Sequence, residues 1–344
     1  MLREEFAGYN DAAAAIASVL SSSEQIVLTT HVRPDGDAIG SLLGLGNALC
    51  ALGKAPRLVI PSPMPASLGF LPRSHAIEVY QAAMHDKLIA TADAIVCLDF
   101  NVLNRLDVME ATVEASQAAR LLIDHHLDPD SCFAAMLWDP EVASTAELVV
   151  ALLDLAFPET FSAAVATPLY TGILTDTGNL RFPRTTARTH RIIAALIEYG
   201  ADPVAIAEAI YDRNSPARLR LLGVVLQRLE VLFDGKCVVL ELRRHDLRDV
   251  RATEDDTEGF VQHTLTVEGA HVGMFISELL DGSNGVKISF RSKGMFDVAR
   301  LAEQLGGGGH RNAAAAVLRG ATIEQARSRA LALIEAALQT SLQT

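Results

Sequence analysis

The sequence predicts an α/β fold: a doubly wound parallel-sheet domain at the N-terminus, a helical connector and a smaller α/β domain at the C-terminus. Three observations predict it. From residue 12 to about 155, short β-rich runs alternate with longer stretches rich in alanine and leucine, the pattern of a parallel sheet with helices on its faces. Residues 186–232 carry helical periodicity, and residues 235–344 return to strands broken by turns, then a glycine run and a closing helix. With 344 residues, 50% of them hydrophobic, each domain can bury its own core and disorder is excluded.

The elements follow in order. Residues 25–30, 57–60, 94–98 and 121–123 read as strands, and residues 40–52 place apolar side chains at helical spacing between the first two. Residues 143–155 open with Ser144 and Glu147, as a capping box does, and continue as a buried helix. Within 186–232, the stretch 216–232 puts Leu219, Leu222, Val225, Leu226, Leu229 and Leu232 on one side of a helix. Residues 236–242, 269–278 and 285–292 read as strands, and a helix closes the chain from about Thr322. The predicted limits are 1–190 for the first domain, 191–234 for the connector and 235–344 for the second domain, with the active site in the cleft between domains.

Charge narrows the functional classes. Forty-two acidic against 29 basic residues give a net charge of −13, a field that repels a long polyphosphate duplex. The imbalance is local: residues 1–234 hold 28 acidic and 16 basic side chains, residues 235–344 hold 14 and 13. Apolar runs such as residues 148–153 stop far short of a bilayer span, so no membrane partner is expected. The acidic start, Glu4-Glu5 and then Asp11, is unlike a secretory signal, which leaves the cytoplasm as the expected location. Cys50, Cys97, Cys132 and Cys237 are scattered without metal-site spacing and read as reduced and mostly buried.

Five clusters carry chemistry. His31-Val-Arg-Pro-Asp35-Gly-Asp37 follows the first strand, and an imidazole with two carboxylates in one turn can converge on a divalent cation such as Mn²⁺; the plain alternative is an aspartate capping the next helix. Asp99 ends the strand at 94–98, and strand C-termini form the ligand crevice of such sheets. Asp124-His125-His126 ends the next strand; one histidine can ligate while the other faces substrate, with Asp124 as ligand or as orienting group. Thr175-Asp176-Thr-Gly178 ends an apolar helix, with Gly178 as its cap. Together these point to a two-metal site. Last, Gly306-Gly307-Gly308-Gly309-His310 lets backbone N–H groups close on an anion. A helix just after it would add its dipole, and Arg291, Lys293 and His310 would be phosphate partners.

His31-x-x-Pro-Asp35-x-Asp37-Ala-x-Gly-Ser41, Asp99, Asp124-His125-His126, Ser144-Thr-Ala-Glu147, Thr175-Asp176-Thr-Gly and Gly306-Gly-Gly-Gly-His310 together resemble the DHH phosphoesterase superfamily, the last motif resembling its DHH-associated C-terminal domain. The chain looks most like the short bacterial oligoribonucleases that also dephosphorylate 3′-phosphoadenosine 5′-phosphate. The resemblance implies two divalent cations, Mn²⁺ first: His31, Asp35 and Asp99 around one, Asp37, Asp99, His125 and Asp176 around the other. It implies that His126, backed by Asp124, faces the scissile phosphate, while Arg291, Ser292, Gly307, Gly308, Gly309 and His310 hold the far end of the substrate. Position 315 is Ala and Asp99 is followed by Phe100-Asn101, two departures from the family pattern that remove no ligand.

The expected substrates are short RNA or DNA oligonucleotides and small nucleotides. With 5% aromatic residues, the chain offers few of the stacking platforms that a long single strand wants. A cyclic di-AMP or pApA phosphodiesterase is the alternative of the same chemistry, and a nucleotide-binding sensor without turnover the alternative of another class. The oligomeric state, monomer or homodimer, is left open by the sequence.

Overall fold

Residues Ile26–Thr30 form a strand, β1, that is buried along its whole length, as a central parallel strand covered on both faces must be. In the computed structural model, which describes residues 2–280 and 282–341, it sits inside a six-stranded sheet with β2 (Arg57–Ile60), β3 (Ile77–Val79), β4 (Ala94–Leu98), β5 (Ala119–Asp124) and β6 (Ala135–Trp138). The order is β3-β2-β1-β4-β5-β6 and every pairing is parallel. This is the doubly wound arrangement, with the reversal of strand order between β1 and β4.

Helices α1 (Asn10–Ser22), α2 (Gly36–Ala51), α3 (Ala82–Ala90), α4 (Glu110–Ala115), α5 (Thr145–Ala156), α6 (Ala163–Asp176), α7 (Ala187–Glu198) and α8 (Pro203–Tyr211) complete this unit. One face of the sheet packs Leu28, Val96 and Leu121 against Leu42, Leu148, Leu169 and Leu196. The other packs Val27, Ile95 and Leu122 against Ile89 and Val113. Gly40 is where α2 meets the backbone of α6: a Cβ there would lie 2.4 Å from the Pro168 carbonyl oxygen. That close approach brings the two helix ends that carry Asp37 and Asp176 to one place.

The chain divides into two compact units between Arg213 and Asn214, inside the 191–234 stretch. Helices α7 and α8 bury Ile192, Leu196 and Ile206 in the first core, whereas α9 (Pro216–Leu226) buries Leu221 and Val225 in the second unit. The second sheet, in the order β11-β12-β10-β9-β8-β7, contains β7 (Glu230–Leu232), β8 (Cys237–Leu242), β9 (Val272–Glu278), β10 (Gly285–Ser292), β11 (Gly308–His310) and β12 (Ala313–Arg319). Only β8 and β9 run parallel. Of the remaining helices, α10 (Arg244–Val250) lies on the α9 side, while α11 (Val298–Gln304) and α12 (Ile323–Ser341) cover the opposite face with Val298, Leu301, Ala326, Ala330 and Ile334.

Two sequence expectations are corrected. The helix expected over 216–232 ends at Leu226, Leu219 is 56% exposed, and residues 230–232 form a strand instead. Phe233 and Asp234 both take positive φ before Gly235, the tight turn that folds β7 back onto β8. The helix expected directly after the glycine run is the strand β12, although alanine is the best helix former. Its small side chains are needed for packing: a Cβ on Gly307 would lie 2.0 Å from the Ala315 carbonyl oxygen, so only a glycine strand closes on an alanine strand there.

Candidate metal centre

Three strand ends and two helix ends meet at the C-terminal edge of the first sheet, beside the strand-order reversal. His31 follows β1, Asp99 follows β4, Asp124 ends β5, Asp37 lies in the first turn of α2 and Asp176 in the last turn of α6.

Asp35 is the N-cap of α2, one carboxylate oxygen accepting from the amides of Asp37 and Ala38 at 3.0 and 3.1 Å. Capping occupies one oxygen and leaves the second for a ligand, so the structural and the ligating readings coexist. Asp37 is buried against the N-terminus of α5, accepting from Thr145 N at 2.6 Å and Ala146 N at 2.9 Å. Ser144 caps that helix. Thr145 also donates its hydroxyl to Asp99 at 2.8 Å, which makes the start of α5 the cradle of both buried acids. The sequence gives this helix start a capping role and a place in the family motif but no bond to the acids; the available signal is an apolar helix opening with two hydroxyl residues. Gly172 completes the cradle, since a Cβ there would lie 2.8 Å from Asp37 Oδ1.

His31 Nε2 faces Asp99 Oδ2 at 3.5 Å, and His125 Nε2 faces Asp99 Oδ1 at 3.6 Å and Asp176 Oδ2 at 3.5 Å. These separations exceed an N–H···O hydrogen bond. They suit nitrogen and oxygen donors turned toward a shared ion. The other ring nitrogens back this up: with hydrogen assigned to Nδ1, His31 donates to Val32 O at 2.9 Å and His125 to Val142 O at 3.4 Å, the outer-shell bond that turns Nε2 into a lone-pair donor. His126 is held differently. Its Nδ1 lies 2.8 Å from Asp124 Oδ1 and its main-chain N–H donates to Asp124 Oδ2 at 3.1 Å.

Three donor groups each fall within 4.8 Å: His31, Asp35 and Asp99; Asp37, His125 and Asp176; and Asp99, His125 and His126. Asp99, at φ +65°, belongs to two of them, a strained left-handed conformation at the centre of the site. Burial, then the charges of neighbouring aspartates, pushes the carboxyls of Asp37 and Asp99 well above the ordinary range and Asp176 up to about 7. Burial lowers His31, and burial followed by His126 lowers His125 to about 4. Among the described residues no Lys or Arg side chain pairs with Asp37, Asp99 or Asp176. Carboxylates that no Lys or Arg pairs with, facing unprotonated imidazoles, make a mixed oxygen and nitrogen donor set that fits divalent metal ions.

The second unit holds the other group of expected site residues. Arg291, on β10, donates to Phe290 O at 2.9 Å, and burial lowers its pKa. It lines a cavity of about 190 Å³ with Lys287, Ser289, Phe260 and Phe275. Ser292 is buried and its hydroxyl donates to Phe296 O at 2.5 Å while accepting from Asn312 at 2.9 Å, so it ties down the loop before α11. Gly307 precedes β11, and Gly308 and Gly309 lie in it; a Cβ on Gly309 would fall 2.5 Å from Ala313 O, whereas Gly308 faces open space. His310 ends β11, and its side chain lies outside the described residues. The glycines therefore serve strand closure, and the helix-dipole part of the anion reading is withdrawn.

Comparison with known proteins follows the same division. Residues 25–173 match the DHH family, N-terminal domain, and residues 234–340 match the DHHA1 domain. The chain is 38% identical over 317 residues to a bifunctional oligoribonuclease and PAP phosphatase NrnA of Thermus thermophilus, covering 92% of this chain and 91% of that one. To the protein of the same description in Bacillus subtilis it is 28% identical, covering 85% and 88%. Among solved structures, an exopolyphosphatase-related protein of Bacteroides fragilis superposes with a TM-score of 0.89 at 34% identity, over 96% of both chains. With both domains present in order and near full-length similarity at 38% identity, the chain belongs to the DHH family.

Proposed function

We propose that the protein is a two-metal phosphoesterase that hydrolyses short oligonucleotides to mononucleotides and removes the 3′-phosphate of 3′-phosphoadenosine 5′-phosphate. The single observation that carries this reading is the convergence of His31, Asp37, Asp99, His125 and Asp176 on one edge of the sheet with no protein cation among them. The substrate class is drawn from curated relatives that the chain resembles.

His31, Asp35 and Asp99 would hold one Mn²⁺, and Asp37, Asp99, His125 and Asp176 the other. Bound there, the ions would polarise the phosphoryl oxygens and make water a better nucleophile at neutral pH. The chain's own residues do the rest. The α5 amides and Thr145 fix the carboxylates, so no reorganisation is needed when charge builds at phosphorus. Asp124 holds His126 at two points and so orients the imidazole that would give a proton to the leaving oxygen as the bond from phosphorus to that oxygen breaks. In the second unit, the Arg291 guanidinium and the strand Gly308–His310 would contribute substrate contacts.

No helix among the described residues is long and apolar enough to cross a membrane, and we place the enzyme in the cytoplasm. The test is a side-by-side Mn²⁺-dependent assay on di- to pentanucleotides, 3′-phosphoadenosine 5′-phosphate, pApA, cyclic di-AMP and a long single strand. Fastest turnover of the short linear substrates is expected. Faster turnover of the long strand or of cyclic di-AMP overturns the substrate assignment, and binding without turnover makes the protein a sensor.

A further inference from the structure

Trp138 is the only tryptophan of the chain and ends the edge strand β6. The strand register places it beside Asp124, the residue that positions His126. Its indole N–H donates to the main-chain oxygen of His126 at 2.6 Å, which fixes one edge of the ring. The residue is nevertheless 37% exposed. Met136, two positions earlier on the same face of the strand, is 41% exposed, and Leu127, directly after His126, is 62% exposed. Residues 127–141 contain four acids and no Lys or Arg, so a phosphate group is repelled here and an uncharged, flat partner is favoured. An indole locked at its edge loses little freedom when a second ring stacks on its face.

We propose that Trp138, flanked by Met136 and Leu127, is the platform on which a nucleobase of the substrate stacks while its phosphate lies at the Asp99 cluster. The inference rests on the nucleotide phosphoesterase reading and adds to it a residue that selects nucleotides over other phosphate esters. Stacking on an indole is tolerant of base identity, because every base has a π-face.

Tryptophan fluorescence of the full chain with Mn²⁺ reports position 138 alone. AMP is expected to change it saturably, and ribose 5-phosphate or inorganic phosphate at the same concentrations is not. Trp138→Ala is expected to raise KM for a dinucleotide about tenfold, with Trp138→Tyr recovering most of the loss. An equal response to AMP and ribose 5-phosphate, or an unchanged dinucleotide KM in Trp138→Ala, overturns the proposal. Should Trp138→Ala not fold, the wild-type titration and Trp138→Tyr decide it. AMP-selective quenching in a protein that cleaves no phosphoester supports the platform and rejects the enzymatic reading instead.

Discussion

Asp246 in the second unit and the pair Asp37 and Asp99 in the first are all buried acids, and the fold treats them in opposite ways. Asp246 in the second unit is 3% exposed, yet Arg228 meets it through both terminal guanidinium nitrogens at 2.5 and 2.8 Å and the Arg243 amide donates at 2.8 Å. Burial alone would push its carboxyl up; the arginine and the amide outweigh burial and hold it below the ordinary range. Asp37 and Asp99 are each 1% exposed and meet amides, a hydroxyl and imidazoles but no guanidinium, so burial and the charges of neighbouring aspartates outweigh those hydrogen bonds and hold their carboxyls well above that range. A buried acid that the fold neutralises is structural. A buried acid that the fold leaves for an outside cation marks a site, and the cost of keeping it there falls on the metal-free protein.

The contrast is broken first at Asp99, where the largest effect is expected. Asp99→Ala should lose roughly 10³-fold or more in Mn²⁺-dependent kcat/KM on a dinucleotide, because it takes a donor from both proposed ions at once. Near-normal turnover would refute the assignment. Asp124→Asn comes next. It leaves the ion donors in place but removes the anion behind His126, and a loss of about 10²-fold in kcat with Mn²⁺ affinity retained is expected. Equal loss of Mn²⁺ affinity would make Asp124 a ligand instead.

The remaining two predictions concern stability and differ in sign between the units. Arg228→Ala should destabilise the second unit by about 2 kcal/mol in urea unfolding at pH 7, because it leaves Asp246 buried without its partner. A carboxyl depressed in the folded state contributes stability above its unfolded pKa that is lost as pH falls through the folded value. Wild type should therefore weaken on acidification below about pH 4, and Arg228→Ala should show a smaller acid-dependent loss. Asp99→Asn should do the reverse in metal-free protein and stabilise it by roughly 1 kcal/mol, since it removes a repelling buried acid while its amide oxygen still accepts from Thr145. Destabilisation of metal-free Asp99→Asn would show that the acid is structural after all.

What the sequence carried of this was uneven, for physical reasons. Arg57–Ile60 and Ala94–Leu98 were legible to the residue because strands covered on both faces read as unbroken apolar runs. The edge strands Ile77–Val79 and Ala135–Trp138 were not, being short and half-exposed. Strand β12 was misread because alanine favours helix, and only the approach of Gly307 and Gly309 explains its composition. The titratable residues of the centre stood out because acids and histidines at strand ends are chemically conspicuous. Thr145 and Ala146 did not, since two of their three bonds to the acids come from main-chain amides, which any residue supplies.

The central claim is that Asp99 serves two ions at one site. Titration of Mn²⁺ into metal-free full-length protein, read by the electron paramagnetic resonance signal of free Mn²⁺, tests it most directly. Two ions bound per chain in the wild type and loss of tight binding of both in Asp99→Asn are expected. Two ions still bound tightly by Asp99→Asn, or none bound by the wild type, would contradict it.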